Sequence, residues 1–282
     1  MSKDTIAYQG HAGAYSHLSC TKAFPNMQAY ACDSFAKAMY MVERGEAKLA
    51  MIPIENSTAG RVEEIYRLMP KTELHIIAEH FEPVNHCLLG IAGASIEQLK
   101  TVSSHPQALA QCNNAIESLN LQQIAHLDTA GSAEELAAAQ DPSHASIASE
   151  LAAKLYGLEI LQQNFQDIAG NTTRFVILSK ENLMPEYVKN KTFISTFMFT
   201  VRNIPSALYK SMGGFATNGL NMVKLESYMA SDSMSATSFH LDVEGHPAEK
   251  SMQLAMQELA FFSSEMRLIG TYLSHDYRTK ND

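Results

Sequence analysis

The 282-residue sequence has no C-x-x-C pair, no surplus of positive charge and no long apolar run, and each absence removes a class of function. Its four cysteines, Cys20, Cys32, Cys87 and Cys112, stand far apart, which argues against a zinc knuckle or a dithiol redox motif and leaves reduced, mostly buried thiols as the expectation. Lys and Arg total 21 against 30 Asp and Glu, a formal charge of -9, so no general field attracts a polyanion and nucleic acid is not an expected partner. A small anionic ligand would have to find positive potential locally, at one or two Arg side chains or at helix N-termini. The opening MSKDTIAYQG carries no apolar segment behind its charges, and no later stretch approaches the roughly 20 uninterrupted apolar residues of a membrane span. No membrane partner is expected, and the expected location is cytoplasmic.

What is present is globular: 46% hydrophobic and 18% charged residues, in a chain long enough for one domain of ordinary size and a smaller second one. The run Thr5 to Tyr8 reads as a short buried strand, ended by Gly10 and Gly13 and followed by a helix over His17 to Phe24. The spacing of Gly10 and Gly13 fits neither the Rossmann nor the Walker pattern, so it reads as a tight strand-to-helix turn and no nucleotide cofactor is expected. Ser34 is placed to cap a helix running through Val42, Gly45 ends it, and Leu49 to Ile54 is the next strand. Strands His75 to Glu79, His86 to Ile91, Thr101 to Ser103 and His144 to Ile147 then alternate with helices Ile96 to Leu99, Pro106 to Leu119 and Ser132 to Ala138. That alternation predicts an α/β domain with a parallel or mixed sheet covered on both faces.

The polar segment Lys180 to Lys191 marks a boundary. Beyond it come strand Thr192 to Val201, helix Ala207 to Phe215, strand Met222 to Met229, strand Ala236 to Val243, helix Ala248 to Phe262 and strand Met266 to Leu273. This βαββαβ order predicts an α+β, ferredoxin-like second domain.

Three polar clusters sit just past apolar strands, at the carboxyl edge where open α/β sheets bind ligands. In the first, PIENSTAG (Pro53 to Gly60), a strand runs into Glu55, Asn56, Ser57 and Thr58, and the helical spacing of Arg61 to Leu68 makes Ser57 or Thr58 the expected cap, with free backbone N–H groups facing a cleft. An ordinary capped helix would use the same residues. In the second, SSHPQALAQC (Ser103 to Cys112), Pro106 suits the first helical position and His105 or Ser104 the cap; a histidine here can serve chemistry, although a lone capping histidine is more often structural. In the third, GNTTRFVIL (Gly170 to Leu178), Asn171, Thr172, Thr173 and Arg174 precede a strand from Phe175 to Leu178 that is expected to return to the first lobe. Hydroxyls and a planar guanidinium come together there, so Arg174 reads as a carboxylate clamp, with a surface ion pair as the alternative.

Taken together, PIENS at Pro53 to Ser57, SHPQALAQC at Ser104 to Cys112 and N-x-TRF at Asn171 to Phe175 resemble the marker motifs of the prephenate dehydratase family, in that family's order and approximate spacing. The resemblance covers essentially the whole chain. Tyr8-x-Gly10-x-x-Gly13 with Ser16, Asp128-Thr129-Ala130 and Tyr156-Gly157-Leu158 extend it, whereas His11, Ala12 and Ala14 replace the commoner Pro, Glu and Thr of the first loop, so no substrate role is carried over to that loop. The resemblance implies a two-lobed catalytic domain similar to a type II periplasmic binding protein over 1–185, with one lobe about 1–77 and 166–185 and the other about 78–165. It implies an ACT-type regulatory domain over 190–277, and a single-activity form with no chorismate mutase part.

The same resemblance implies conversion of prephenate to phenylpyruvate with no cofactor or metal, control by an amino-acid effector, L-phenylalanine, and a homodimer or homotetramer. Thr173 corresponds to the donor to the departing hydroxide. Arg174 is expected on the pyruvyl carboxylate, since an ion pair to the ring carboxylate would stabilise the charge that decarboxylation must release. Glu55 is expected to orient other groups, Asn56, Ser57, Thr58, His105, Gln107 and Thr172 to bind substrate, and Phe175 to pack the ring or the cleft floor. At the effector turn the family's GALV or GALY and ESRP motifs stand here as Ser206-Ala207-Leu208-Tyr209 and Glu226-Ser227-Tyr228-Met229, half of each retained. Arogenate dehydratase shares the motifs and remains an alternative, as does a non-catalytic binding protein for a small anion or amino acid.

Overall fold

The computed structural model describes residues 4–229 and 237–279. The chain begins with β1 (Thr5–Gln9), α1 (Tyr15–Ala23), β2 (Gln28–Cys32), α2 (Phe35–Glu43), β3 (Leu49–Asn56), β4 (Gly60–Arg61), α3 (Glu63–Leu68) and β5 (His75–Pro83). A second set follows: β6 (Cys87–Gly90), β7 (Thr101–Ser104), α4 (Pro106–Gln111), α5 (Asn113–Ser118), β8 (Gln122–Ala125), α6 (Thr129–Ala139), β9 (His144–Ala148), α7 (Glu150–Tyr156) and β10 (Glu159–Gln162). Then β11 (Thr172–Ser179) leads to β12 (Phe193–Val201), α8 (Ala207–Thr217), β13 (Met222–Tyr228), β14 (Ser238–Glu244), α9 (Lys250–Phe262), β15 (Ser263–Leu273) and α10 (Asp276–Thr279).

Three sheets result. The first has the order β2-β1-β3-β11-β5 with β4 beside β3, the second β10-β6-β9-β7-β8, and the third β13-β14-β12-β15. In the first, β1 is parallel to β2 and β3, while β11 returns from the second set to lie antiparallel between β3 and β5. The chain therefore crosses between the first two sheets twice. The first crossing lies beyond Pro83, later than the expected lobe boundary near 78, because β5 pairs with β11 along its whole length, from His75↔Ser179 to Pro83↔Thr172.

Packing follows the alternation of side chains along each strand. On β11, Phe175 and Ile177 join Tyr8, Cys20 and Met51 in a core covered by α1, while Val176 and Leu178 join the opposite core with Ile52, Ile54 and Tyr66. That second core also contains Ile194, Met198, Ile269 and Tyr272, so the third sheet lies directly on the first and shares its hydrophobic interior. Gly270 marks the closest approach: a Cβ there would overlap the backbone carbonyl of Ile76 on β5. The outer face of the third sheet is covered by α8 and α9 through Phe215, Met252, Ala255 and Leu259. All four cysteines are free and buried.

Several expected elements changed form. Gly60, at φ +79, turns the chain back so that Gly60–Arg61 pairs with Glu55–Asn56, and the helix begins only at Glu63 with Val62 as its cap. Neither Ser57 nor Thr58 therefore caps a helix. The helix expected over Pro106 to Leu119 is two helices meeting at Cys112, and Ile96–Gln98 is a single 3-10 turn. Ala236, the expected start of a strand, lies outside the described residues, and β14 begins at Ser238.

Candidate functional site

A cavity of about 510 Å3 opens between the first two sheets, where the end of β3 and the start of β11 face the N-terminus of α4. One local irregularity aims its polar wall. Along β3 and β11 the partners run Asn56↔Thr173 and Glu55↔Arg174 and then skip to Pro53↔Phe175, leaving Ile54 as an extra residue. Such a bulge reverses which face the following side chains take. Beyond it, Asn56 shares the cleft face with Thr173, and Glu55 shares the other face with Arg174.

On the cleft face, Asn56 is fixed at both ends of its amide. Its Oδ1 accepts from the Thr58 N–H (3.0 Å), the Ala59 N–H (2.9 Å) and the Thr58 hydroxyl (2.8 Å), so the turn that was expected to be capped by Ser57 or Thr58 is held by Asn56 instead. Its Nδ2 donates to Asn171 Oδ1 (2.7 Å) and to Thr173 Oγ1 (3.0 Å). Thr173 thus accepts a hydrogen bond from an amide and keeps its own hydroxyl hydrogen for another partner.

The network crosses the cleft through Gln111, at the end of α4. Gln111 Nε2 donates to Thr58 Oγ1 (2.9 Å), and its Oε1 accepts from Asn171 Nδ2 (3.1 Å) and bonds His86 Nε2 (2.9 Å). An amide oxygen only accepts, which places a hydrogen on His86 Nε2; burial lowers the His86 pKa, with the bond to Gln111 opposing, and the Tyr15 hydroxyl, which donates to the Asn85 carbonyl (2.8 Å), lies 3.1 Å from His86 Nδ1. Gln111, His86, Tyr15 and Asn171 belong to the site, although sequence reading did not count them among its residues. For Gln111 and Asn171 the signal was their position inside the SHPQALAQC and N-x-TRF motifs. His105 caps α4, its Nδ1 accepting from the Gln107 N–H (3.2 Å), and both residues line the cavity. Gly10, Ala14, Tyr15 and Ser16 line it too, so the first loop reaches the site despite its departures from the family pattern.

Arg174 is elsewhere. It is 2% exposed and faces the third sheet, where it donates to Glu79 Oε2 (2.9 Å), Glu55 Oε1 (3.0 Å), Asp242 Oδ2 (2.7 Å) and the Tyr272 hydroxyl (2.9 Å). Strand alternation forbids it from sharing Thr173's face, so the expected carboxylate clamp is not at the cavity. Burial would favour a neutral guanidine, but Asp242, Tyr272, Glu79 and Glu55 outweigh it and hold the charge. Burial likewise opposes ionisation of Asp242, and Arg174 and His240 overcome it, drawing the carboxyl well below the usual range. Glu55 is pulled down the same way, with Arg174 and Lys224 prevailing over burial.

Other expected site residues also leave the cavity. Thr172 accepts from the Tyr277 hydroxyl (3.2 Å) on Arg174's face, and Phe175 is buried in the α1 core and not in the cleft floor. Ser57 ties β3 to β11, its N–H donating to the Thr172 carbonyl and its Oγ accepting from the Thr172 N–H. Thr58 bonds Gln111 from the rim. At the expected effector turn, Ser206 holds a left-handed backbone (φ 58) before α8, with Ala207 buried and Leu208 half-buried. Glu226 sits on the opposite face of the third sheet, beside Lys224 (3.2 Å) and Arg61 (3.2 Å), and Arg61 also bonds the Ser227 carbonyl (2.6 Å). The structure therefore separates Glu226 from Ser206–Leu208 by the thickness of that sheet.

A polar cleft between two α/β sheets, with a third sheet packed on one of them, is the form of a small-ligand site joined to an accessory unit. Residues 6–183 match the family model for prephenate dehydratase, and the chain belongs to that family of dehydratases of aromatic amino acid biosynthesis. A bifunctional N-acyl-homoserine lactone acylase/prephenate dehydratase of Komagataeibacter europaeus is 44% identical over 277 residues, 98% of each chain. Arogenate dehydratase/prephenate dehydratase 2 of Arabidopsis thaliana is 38% identical over 280 residues, 96% of this chain and 73% of that one. The crystal structure of prephenate dehydratase from Arthrobacter aurescens in complex with L-Phe is 27% identical, with a TM-score of 0.87 over 96% of this chain and 90% of that one. Among the described residues, no helix is long and apolar enough to cross a membrane, and no group of three His, Cys, Asp or Glu is placed to hold a metal.

Proposed function

We propose that the chain converts prephenate to phenylpyruvate in the cleft between its first two sheets. The reading assigns those sheets to the two lobes of a type II periplasmic-binding-protein-like catalytic domain, and the third sheet, in the order β13-β14-β12-β15, to an ACT-type domain of ferredoxin-like topology sensing L-phenylalanine. The observation that carries the chemistry is the Thr173 hydroxyl, supported from behind by the Asn56 amide at 3.0 Å and still able to donate into the cavity.

Loss of carbon dioxide drives electrons through the ring and expels the ring hydroxyl as the ring becomes aromatic. Thr173 is a poor acid, so its part is a hydrogen bond to the oxygen on which negative charge develops, and water completes the proton transfer. The bond from Asn56 fixes the direction of that donor. Gln111, bonded to Thr58, Asn171 and His86, links the two sides of the cleft. The N-terminus of α1, which has no capping side chain, turns its partial positive charge to the substrate from the far wall.

Arogenate is the second reading, favoured by the Arabidopsis relative's name. Arogenate carries an ammonium where prephenate has a keto oxygen. Asp128 is the one carboxylate lining the cavity among the described residues, and it is engaged by the Gly131 N–H (2.7 Å) and by His11 (2.8 Å), which favours the keto acid. The acylase reaction in the Komagataeibacter relative's name calls for a nucleophile paired with a base, whereas Thr173 is paired with an amide. The open edge of β13, with Met222 and Leu225 exposed, supports assembly into a homodimer or homotetramer. Incubation of the purified protein with each substrate, followed by separate detection of phenylpyruvate and phenylalanine, tests the assignment through kcat/KM. Absence of both products would reject the lyase reading and leave a binding protein.

A further inference from the structure

Loss of Arg174 from the cleft leaves a dianionic substrate without its expected counter-charge. The cavity wall supplies another. Among the described residues Arg61 is the one Lys or Arg side chain lining the cavity, and it stands on β4, opposite Glu55 and next to the Asn56↔Gly60 pair. Its guanidinium is anchored at two of its three nitrogens. Nε donates to Glu63 Oε2 (2.7 Å), and Nη1 donates to Glu226 Oε2 (3.2 Å) and to the Ser227 carbonyl (2.6 Å). The guanidinium carbon lies 5.5 Å over the Tyr66 ring, and Nη2 has no protein partner among the described residues.

Two of those anchors, Glu226 and Ser227, come from β13 of the third sheet, not from either lobe of the cleft. The ion pairs continue inward: Glu226 to Lys224 (3.2 Å), Lys224 to Glu55 (2.6 Å), Glu55 to Arg174 (3.0 Å) and Arg174 to Asp242 (2.7 Å). One network thus runs from the cavity wall to the centre of the third sheet, and it passes through Glu55, which precedes Asn56.

We propose that Arg61 binds a substrate carboxylate in the cleft and that Glu226 of the C-terminal unit is the residue that positions it. The C-terminal unit then completes the substrate site, and any ligand that moves β13 changes substrate affinity through Arg61. This use of Glu226 differs from direct contact with an effector. A stacked guanidinium anchored through Nε and Nη1 with Nη2 free suits a charge-assisted hydrogen bond to a carboxylate, because a planar group held in place loses little freedom on binding. The inference rests on the cleft being the site of a carboxylate-bearing substrate.

The test is steady-state kinetics on prephenate with Arg61→Ala, Arg61→Lys, Glu226→Ala and the double variant. Loss of a charge-assisted hydrogen bond predicts a KM raised about 10- to 100-fold in Arg61→Ala, with kcat changed by less than about 3-fold. Arg61→Lys restores part of it. Glu226→Ala raises KM about 3- to 10-fold in the parent and leaves it unmoved in the Arg61→Ala background, because Glu226 acts through Arg61. A purely structural ion pair would lower thermal stability and leave the KM of all four proteins alike, which would overturn the proposal. Equal effects of Glu226→Ala with and without Arg61 would overturn the positioning role. If the parent protein makes no phenylpyruvate, the functional reading fails first and binding of prephenate by calorimetry decides on Arg61 alone.

Discussion

Replacing Arg174 with alanine separates a cleft residue from an interface residue. The cost is set by what the loss leaves behind. Glu55 keeps Lys224 at 2.6 Å, and Glu79 keeps Arg278 at 2.8 Å, so both carboxylates retain a cation. Asp242 keeps no Lys or Arg among the described residues: it is fully buried and retains the Thr196 hydroxyl (2.7 Å) and His240 (3.1 Å). One uncompensated buried charge costs about 3–5 kcal/mol. For a chain of this size that lowers the melting temperature by on the order of 10 °C. Urea titration and calorimetry read the loss directly, and adding Asp242→Asn to Arg174→Ala should recover part of it, since the stranded charge is then gone. The refuting result is an Arg174→Ala protein that melts within about 2 °C of the parent but has a much higher KM. That pattern would put the guanidinium back on the substrate.

Thr173→Ser should retain most of kcat, and Thr173→Ala should lose it by about 10²- to 10⁴-fold with little change in KM, as read by phenylpyruvate formation; equal rates for Ala and parent would remove the hydroxyl from the mechanism. Gly270→Ala should destabilise by at least about 1–3 kcal/mol in urea titration, because the new methyl meets the Ile76 carbonyl and not a movable side chain. Asp242 and Glu55 have folded pKa values below the ordinary carboxylate value of about 4, so their contribution is complete above it and is lost as pH falls through the lowered values. Stability measured from neutral pH downward should therefore drop below about pH 4, and the drop should shrink in Asp242→Asn.

The sequence by itself placed many of the elements and the motif positions. Apolar runs bounded by Gly, Pro and Ser placed β1, β3 and β7 within a few residues, Ser34 was legible as the cap of α2 because Ser at that position accepts from the Lys37 N–H, and polar 180–191 marked the change of pattern. Asn56 and Thr173, which both line the cavity, were legible as candidates because each ends or begins an apolar strand inside one of the polar clusters.

Which way side chains point was decided only by tertiary structure. Period-2 alternation separates Thr173 from Arg174, but it does not say which face is the cleft; the third sheet settles that by covering the Arg174 face with Asp242 and Tyr272. The bulge at Ile54 carries no local sequence signature, yet it turns Asn56 toward Thr173 and Glu55 toward Arg174. Arg61 gave no sign of its place, because its partners Glu226 and Ser227 lie far along the chain and meet it only when the C-terminal sheet packs on the first lobe. Local periodicity fixes conformation, whereas facing, burial and charge pairing depend on contacts between segments that sequence spacing does not encode.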